Sequence, residues 1–183
     1  MQSKHIEFLK HLEERGFQSD TFAWVDFETE IVVFPIYTID GRLVGYENYN
    51  WRVTDKTIRN KPNGRYFKFI TDPENAAWGF YHIVDFTKPL YVVEGVWDAE
   101  RVRATGRNCI AVMQNNPKRL ASLFKKLESI TVAICDGDGA GRELAKNTDL
   151  GLFLDDGLDP NDLPVEELER VLSYFELEHR LVA

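Results

Sequence analysis

Cysteine is nearly missing from this sequence. Cys109 and Cys135 are the two in 183 residues, and each sits inside an apolar run, NCIAVM and ITVAICD. Two thiols build neither a zinc ribbon nor a disulfide framework, so no zinc is expected and both read as buried, inert side chains. Long apolar runs are missing too. No stretch approaches the roughly 18 residues that a membrane helix needs, and Met1 to Lys10 mixes charge with apolar residues instead of forming a signal-peptide core. A cytoplasmic protein without a membrane partner is the expectation. There is no internal repeat or low-complexity tract, and 44% hydrophobic with 28% charged residues describes one globular domain, or two small ones sharing a core. His5, His11, His82 and His179 lack ligand spacing, which leaves them structural or surface roles.

Net charge is −8, which as a single number argues against a nucleic-acid partner. Its distribution says otherwise. Residues 149–183 hold ten acids and two bases, so residues 1–148 are balanced. Within that balanced part, Arg52, Lys56, Arg59, Lys61, Arg65 and Lys68 face the single acid Asp55. Trp51, Tyr66 and Phe67 are interleaved with them, and positive charge beside aromatic faces suits single-stranded nucleic acid. The competing reading is a solvated hairpin whose aromatics belong to the core. Lys118, Arg119, Lys125 and Lys126 read as the solvated face of a helix.

The pattern changes near Lys88-Pro89. Before it, Ser3–Arg15 carries Ile6, Leu9 and Leu12 at helical spacing and stops at Gly16. Strands follow: IVVFPIYTI, an Asp40-Gly41 turn, RLVGYENYNWRV, an Asn63-Gly64 turn, and RYFKFI. After Pro89 the rhythm is strand and helix in alternation: LYVVE, a helix over 96–105, CIAVM, a helix over 117–127, ITVAIC, a helix over 140–146, and LGLFL. Nearly continuous apolar strands between helices imply a parallel sheet covered on both faces. Residues 162–178 read as a terminal helix, with Pro164, Glu166 and Glu167 in its first turn and Val165, Leu168, Val171, Leu172 and Phe175 on one face. That face either packs on the sheet or docks on a partner helix. The expected fold is therefore α/β, with a small, mostly antiparallel α+β part over 1–88, a parallel-sheet domain over 89–163 and a C-terminal helix over 164–183.

Functional groups of such sheets collect beyond the carboxyl ends of the strands. LYVV runs into Glu94-Gly95 with Asp98 a turn later, and ITVAIC runs into Asp136-Gly137-Asp138-Gly139. GLFL is followed by Asp155, Asp156, Asp159 and Asp162. An Asp-rich turn can be mere punctuation, and GDGAG can be read as a weak dinucleotide turn. Three acidic loops on one sheet edge repel one another unless a cation neutralises them, and carboxylates without Cys or clustered His favour a hard ion such as Mg²⁺, or Mn²⁺.

VVEGVWDAERV followed by VAICDGDGAGRELA resembles the TOPRIM superfamily, and within it the chain is similar to bacterial-type, DnaG-like primases. VVFPIYTIDGRLVGYENYNWRV resembles that family's FPI-turn-GRVIGF-GGR segment, Lys68 to Asn75 its KYLNSPET, Trp78 to Tyr81 its LYGLY, and Asp156 to Pro160 its DGEDP. The resemblance spans roughly Glu30 to Asp162. It implies a polymerase core that joins ribonucleotides into short RNA primers on a single-stranded DNA template. Glu94, Asp136, Asp138 and Asp159 would be the principal acids, Glu94 as ligand or general base, with Asp98 and Asp162 as auxiliary acids. Lys68 and Arg52, with Arg65, Lys61 and Arg142, would face template or nucleotide phosphates.

The departures matter as well. After Asp159-Pro160 the family has another acid, and here Asn161 stands, with Asp162 one place on. A lysine-bearing loop before the LYGLY counterpart, the zinc-binding module and a C-terminal helicase-binding bundle are not expected in this chain, so a separate zinc module or a replicative helicase would be partners. Two other functions stay open: a TOPRIM-type nuclease using the same acids, and a non-catalytic nucleic-acid-binding or replisome adaptor.

Overall fold

The computed structural model describes residues 5–181 apart from 56, 57, 59, 84, 115, 116, 136–138 and 156. Helix α1 (Ile6–Glu14) buries Phe8 and Leu12, one turn apart, while Ile6 and Leu9 remain 57% and 48% exposed. The buried stripe is thus rotated from the Ile6, Leu9, Leu12 spacing. The reason is the larger area of an aromatic ring, since Phe8 stacks on Trp51 with centroids 5.9 Å apart. Gly16, at φ 89°, closes the helix: its N–H donates to Glu13 O and that of Phe17 to Leu12 O, a Schellman cap.

Strands β1 (Trp24–Asp26), β2 (Ile31–Thr38), β3 (Leu43–Asn50) and β4 (Tyr66–Ile70) form an antiparallel sheet in that order, and β5 (Ala76–Ala77) pairs with the far end of β2. The β2–β3 hairpin turns at Asp40-Gly41 as read, with Gly41 at φ 84°. Alternation along β2 sends Val32, Phe34 and Ile36 into the core.

The second sheet is parallel, in the order β7-β6-β8-β9, from β6 (Leu90–Val93), β7 (Asn108–Ala111), β8 (Thr131–Cys135) and β9 (Leu150–Phe153). Helices α2 (Val96–Arg103), α3 (Lys118–Phe124) and α4 (Gly139–Ala145) connect its strands, and α5 (Val165–His179) ends the chain. Along β6, Tyr91 and Val93 join one buried cluster, which contains Phe34 and Tyr49 of the first sheet, Trp97 of α2, and Leu168 and Leu172 of α5. Leu90 and Val92 join a second, with Leu120, Phe124 and Leu144. Both faces of the parallel sheet are therefore covered.

Trp78 joins the two sheets by exchanging hydrogen bonds with Ala111, N to O at 2.8 Å and O to N at 3.0 Å. The apolar face of α5 packs on the core. Arg107 and the Tyr91 hydroxyl, at 2.8 and 2.9 Å, hold the buried Glu176 carboxylate near its last turn. Cys109 and Cys135 are buried thiols, and burial raises that of Cys109 well above its ordinary range. Among the described residues no helix is long and apolar enough to cross a membrane.

Candidate functional site

The β6 strand delivers Glu94 at its carboxyl end, where Gly95 opens the turn into α2. A side chain at Gly95 would stand 2.8 Å from Asp98 Oδ2, so glycine is what lets the Asp98 carboxylate fold back over the start of its own helix. An acid in the first turn also complements the helix dipole. The loop after β9 brings up Asp159, which caps the short 3₁₀ turn Pro160–Asp162. Asp159 Oδ1 accepts from Asp162 N at 3.0 Å, and Asp162 Oδ2 accepts from Asp159 N at 3.2 Å. Asp162 is spent on this reciprocal cap.

Glu94, Asp98 and Asp159 line one cleft of about 390 Å³ together with Arg15, Glu47, Arg65, Tyr66, Lys68 and Met113. A second lobe of about 480 Å³ shares Glu47, Arg65, Tyr66, Lys68 and Glu94 and continues past Ile58 and Asn60. One wall thus comes from the antiparallel sheet and the end of α1, the other from the carboxyl edge of the parallel sheet. The sizes suit a small-molecule site.

The basic wall is tied down by aromatics. Arg15 lies over the Trp97 ring, 5.1 Å from its centre, and donates from Nη2 to the Tyr66 hydroxyl at 3.2 Å. Arg65 lies over Tyr49 at 5.6 Å and donates to its hydroxyl at 3.2 Å. The Nε–H groups of Arg15 and Arg65 are buried with no acceptor among the described residues. His11 Nε2 is 2.6 Å from the Tyr49 hydroxyl, and burial, then the Arg15 and Arg65 charges, lower its pKa. Burial pushes the Tyr66 hydroxyl up to about 12, so Tyr66 serves as a neutral partner to the Arg15 guanidinium.

Lys68 crosses the cleft. Its Nζ donates to Met113 O at 2.7 Å, and Met113, a non-glycine residue at φ 60°, donates from N to Glu94 O at 3.0 Å. A left-handed residue at such a place is a backbone strain held by its surroundings.

Not every residue singled out in the sequence comes here. Arg52 pairs with Glu30 at 2.5 Å and does not line the cleft. Glu30 is a buried carboxylate held below the usual range, first by His5 and also by Trp51 and Arg52, so it holds the Arg52 guanidinium in its own pairing outside the lining of the cleft. Lys61 is exposed in the loop before β4, and Arg142 is exposed on α4. Asp136 and Asp138 lie outside the described residues; the strand before them, β8, ends beside β6 on the edge that carries Glu94. Among the described residues there is no group of three metal-ligating side chains close enough to hold an ion. Asn161 donates to Arg15 O at 2.9 Å and Trp97 O at 3.3 Å and so fastens the Asp159 loop to α1 and α2.

Arg15 and Glu47 are cleft residues that sequence reasoning passed over. The signal for Glu47 was present as an acid between apolar residues in VGYENY, at strand spacing. Arg15 reads only as the end of a helix.

No family model matches the sequence, and no curated protein matches it. Solved structures do. A DNA primase domain from Pseudomonas aeruginosa superposes with a TM-score of 0.62 at 21% identity, over 92% of this chain and 58% of that one. The Aquifex aeolicus primase, with its zinc-binding and RNA polymerase domains, gives 0.58 at 24% identity over 91% and 46%. A DnaG primase catalytic domain bound to single-stranded DNA gives 0.58 at 21% identity over 92% and 59%. The chain therefore has the fold of a primase catalytic core, and it spans about half the length of these relatives.

Proposed function

We propose that this chain is a primase-type catalytic core, which joins ribonucleotides into short RNA primers on a single-stranded DNA template. The observation that carries the reading is one cleft in a primase-core fold, where carboxylates of the parallel-sheet edge face Arg15, Arg65 and Lys68. Oxygen donors without Cys or His suit Mg²⁺ or Mn²⁺, and Glu94, Asp98 and Asp159, with Asp136 and Asp138, are the residues that would hold it. Such an ion neutralises nucleotide oxygens and lowers the pKa of an attacking hydroxyl. The chain's part is to bind and orient. Lys68, Arg65 and Arg15 take phosphates, their rings and hydroxyls already fixing the guanidinium planes. A zinc-binding module, as in the Aquifex chain, and a replicative helicase are the partners this reading predicts.

Labelled single-stranded DNA with Mg²⁺ and ribonucleotides tests it. Extension products that vanish in Asp136→Asn, with unchanged thermal unfolding of the apo variant, support polymerisation. Shortening of the DNA without nucleotides would assign the same acids to a nuclease. No product, and no rise in melting temperature with Mg²⁺, would leave a binding adaptor.

A further inference from the structure

Glu47 is a charged group of the cleft to which the proposed chemistry gives no task. It sits on β3 with its side chain on the inward face shared with Tyr49, 8% exposed. Strand register sets it opposite Phe34 on one side and Lys68 on the other. It lines both lobes, where Lys68, Tyr66 and Arg65 on the β4 side, Glu94 and Met113 at the ends of the parallel strands, and Arg15 and Asp159 complete the surroundings. Among the described residues no side chain donates a hydrogen bond to its carboxylate, and Lys68 donates to Met113 O instead. Burial without a donor is expensive, and it pushes the Glu47 carboxyl up to about 7, against the pull of Lys68.

A ligand entering the cleft must bring Glu47, in its ionised form, a hydrogen-bond donor. A phosphate cannot, because it carries the same charge and has acceptors only. Lys68 is the cross-strand neighbour, with side-chain roots about 5 Å apart in such pairs. When a nucleotide phosphate rests on Lys68, the part of the molecule one short step away is the sugar, whose hydroxyls donate; the base lies further off. We infer that Glu47 accepts a hydrogen bond from a sugar hydroxyl of the bound nucleotide and thereby makes the cleft prefer ribonucleotides to 2′-deoxyribonucleotides. This inference rests on the reading of the cleft as a nucleotide site.

The test is equilibrium binding of ATP, dATP and tripolyphosphate, each with Mg²⁺, to the full chain and to Glu47→Gln and Glu47→Ala. The wild type should bind ATP about tenfold or more tightly than dATP, as the loss of one charge-assisted hydrogen bond implies. Glu47→Ala should bring that ratio near one, Glu47→Gln should keep part of it through its amide oxygen, and neither should weaken tripolyphosphate binding. An ATP-to-dATP ratio that is one in the wild type, or unchanged in Glu47→Ala, overturns the inference while the nucleotide site stands. A wild type that binds neither nucleotide nor tripolyphosphate removes the underlying reading as well. Glu47→Gln, which keeps the shape of the side chain, supplies the folded control should Glu47→Ala unfold.

Discussion

Lys68 Nζ donates to the carbonyl oxygen of Met113 at 2.7 Å, so a side chain of the antiparallel sheet is fastened to the backbone turn that also holds Glu94. The contact places an ammonium group, partly buried, at the junction of the two halves. It also couples the basic wall to the acidic edge through a backbone carbonyl.

Lys68→Met keeps the aliphatic stem and removes the charge. Loss of a hydrogen bond from a charged donor should cost about 1.5–3 kcal/mol of stability. If Lys68 also takes a phosphate, single-stranded DNA affinity should fall about tenfold and the salt slope of log K should shrink by about 0.7. Fluorescence titrations at several salt concentrations check this. A slope identical to that of the wild type would confine Lys68 to a structural role.

Glu47 makes stability depend on pH. Its folded pKa, about 7, lies above that of an unfolded glutamate. Between about 4.3 and 7 the folded chain keeps a proton that the unfolded chain has released, so this contribution declines as pH rises through that window and is flat above it. Glu47→Gln should be more stable than the wild type by on the order of 2–3 kcal/mol at pH 8, with the gap closing towards pH 5. Urea unfolding in EDTA at both pH values measures it; a gap independent of pH contradicts the assignment.

Asn161 donates to two carbonyl oxygens, of Arg15 and Trp97. Asn161→Ala should lose about 1–2 kcal/mol. Asn161→Asp should lose more in EDTA, because a carboxylate would face two acceptors. Thermal unfolding of the pair decides; an aspartate variant as stable as the wild type would mean that the loop docks by other contacts.

The Arg107–Glu176 pair anchors α5 from a largely buried position, with side chains 14% and 9% exposed. Arg107→Met leaves the Glu176 charge with the Tyr91 hydroxyl alone and should cost about 3–5 kcal/mol, whereas Arg107→Met with Glu176→Leu should recover most of it. Equal losses in single and double variants would show that packing, not the uncompensated charge, is what matters.

Much of the architecture was readable because it follows from short-range chemistry. The apolar alternation of β2, the turn at Asp40-Gly41 and the strand–helix rhythm after Pro89 depend on periodicity and backbone freedom alone. The rotation of α1 was not readable, since Phe8 and Ile6 are both apolar and only the position of Trp51 chooses between them. Arg52 carries the charge expected of a phosphate contact, but the buried Glu30 claims it.

What the linear order of residues determined is the supply of groups at strand ends. A parallel sheet puts every carboxyl terminus on one edge, so the sequence alone offers Glu94, Asp136, Asp138 and Asp159 as candidate acids of that edge; Glu94 and Asp159 line the cleft, and Asp136 and Asp138 lie outside the described residues. What the tertiary structure alone decided is which groups oppose that edge. Glu47 meets Lys68 through the register of β3 on β4, and Arg15 arrives from the far end of the chain because Asn161 grips its carbonyl. Such meetings depend on pairing across long separations, and local propensity carries no information about them.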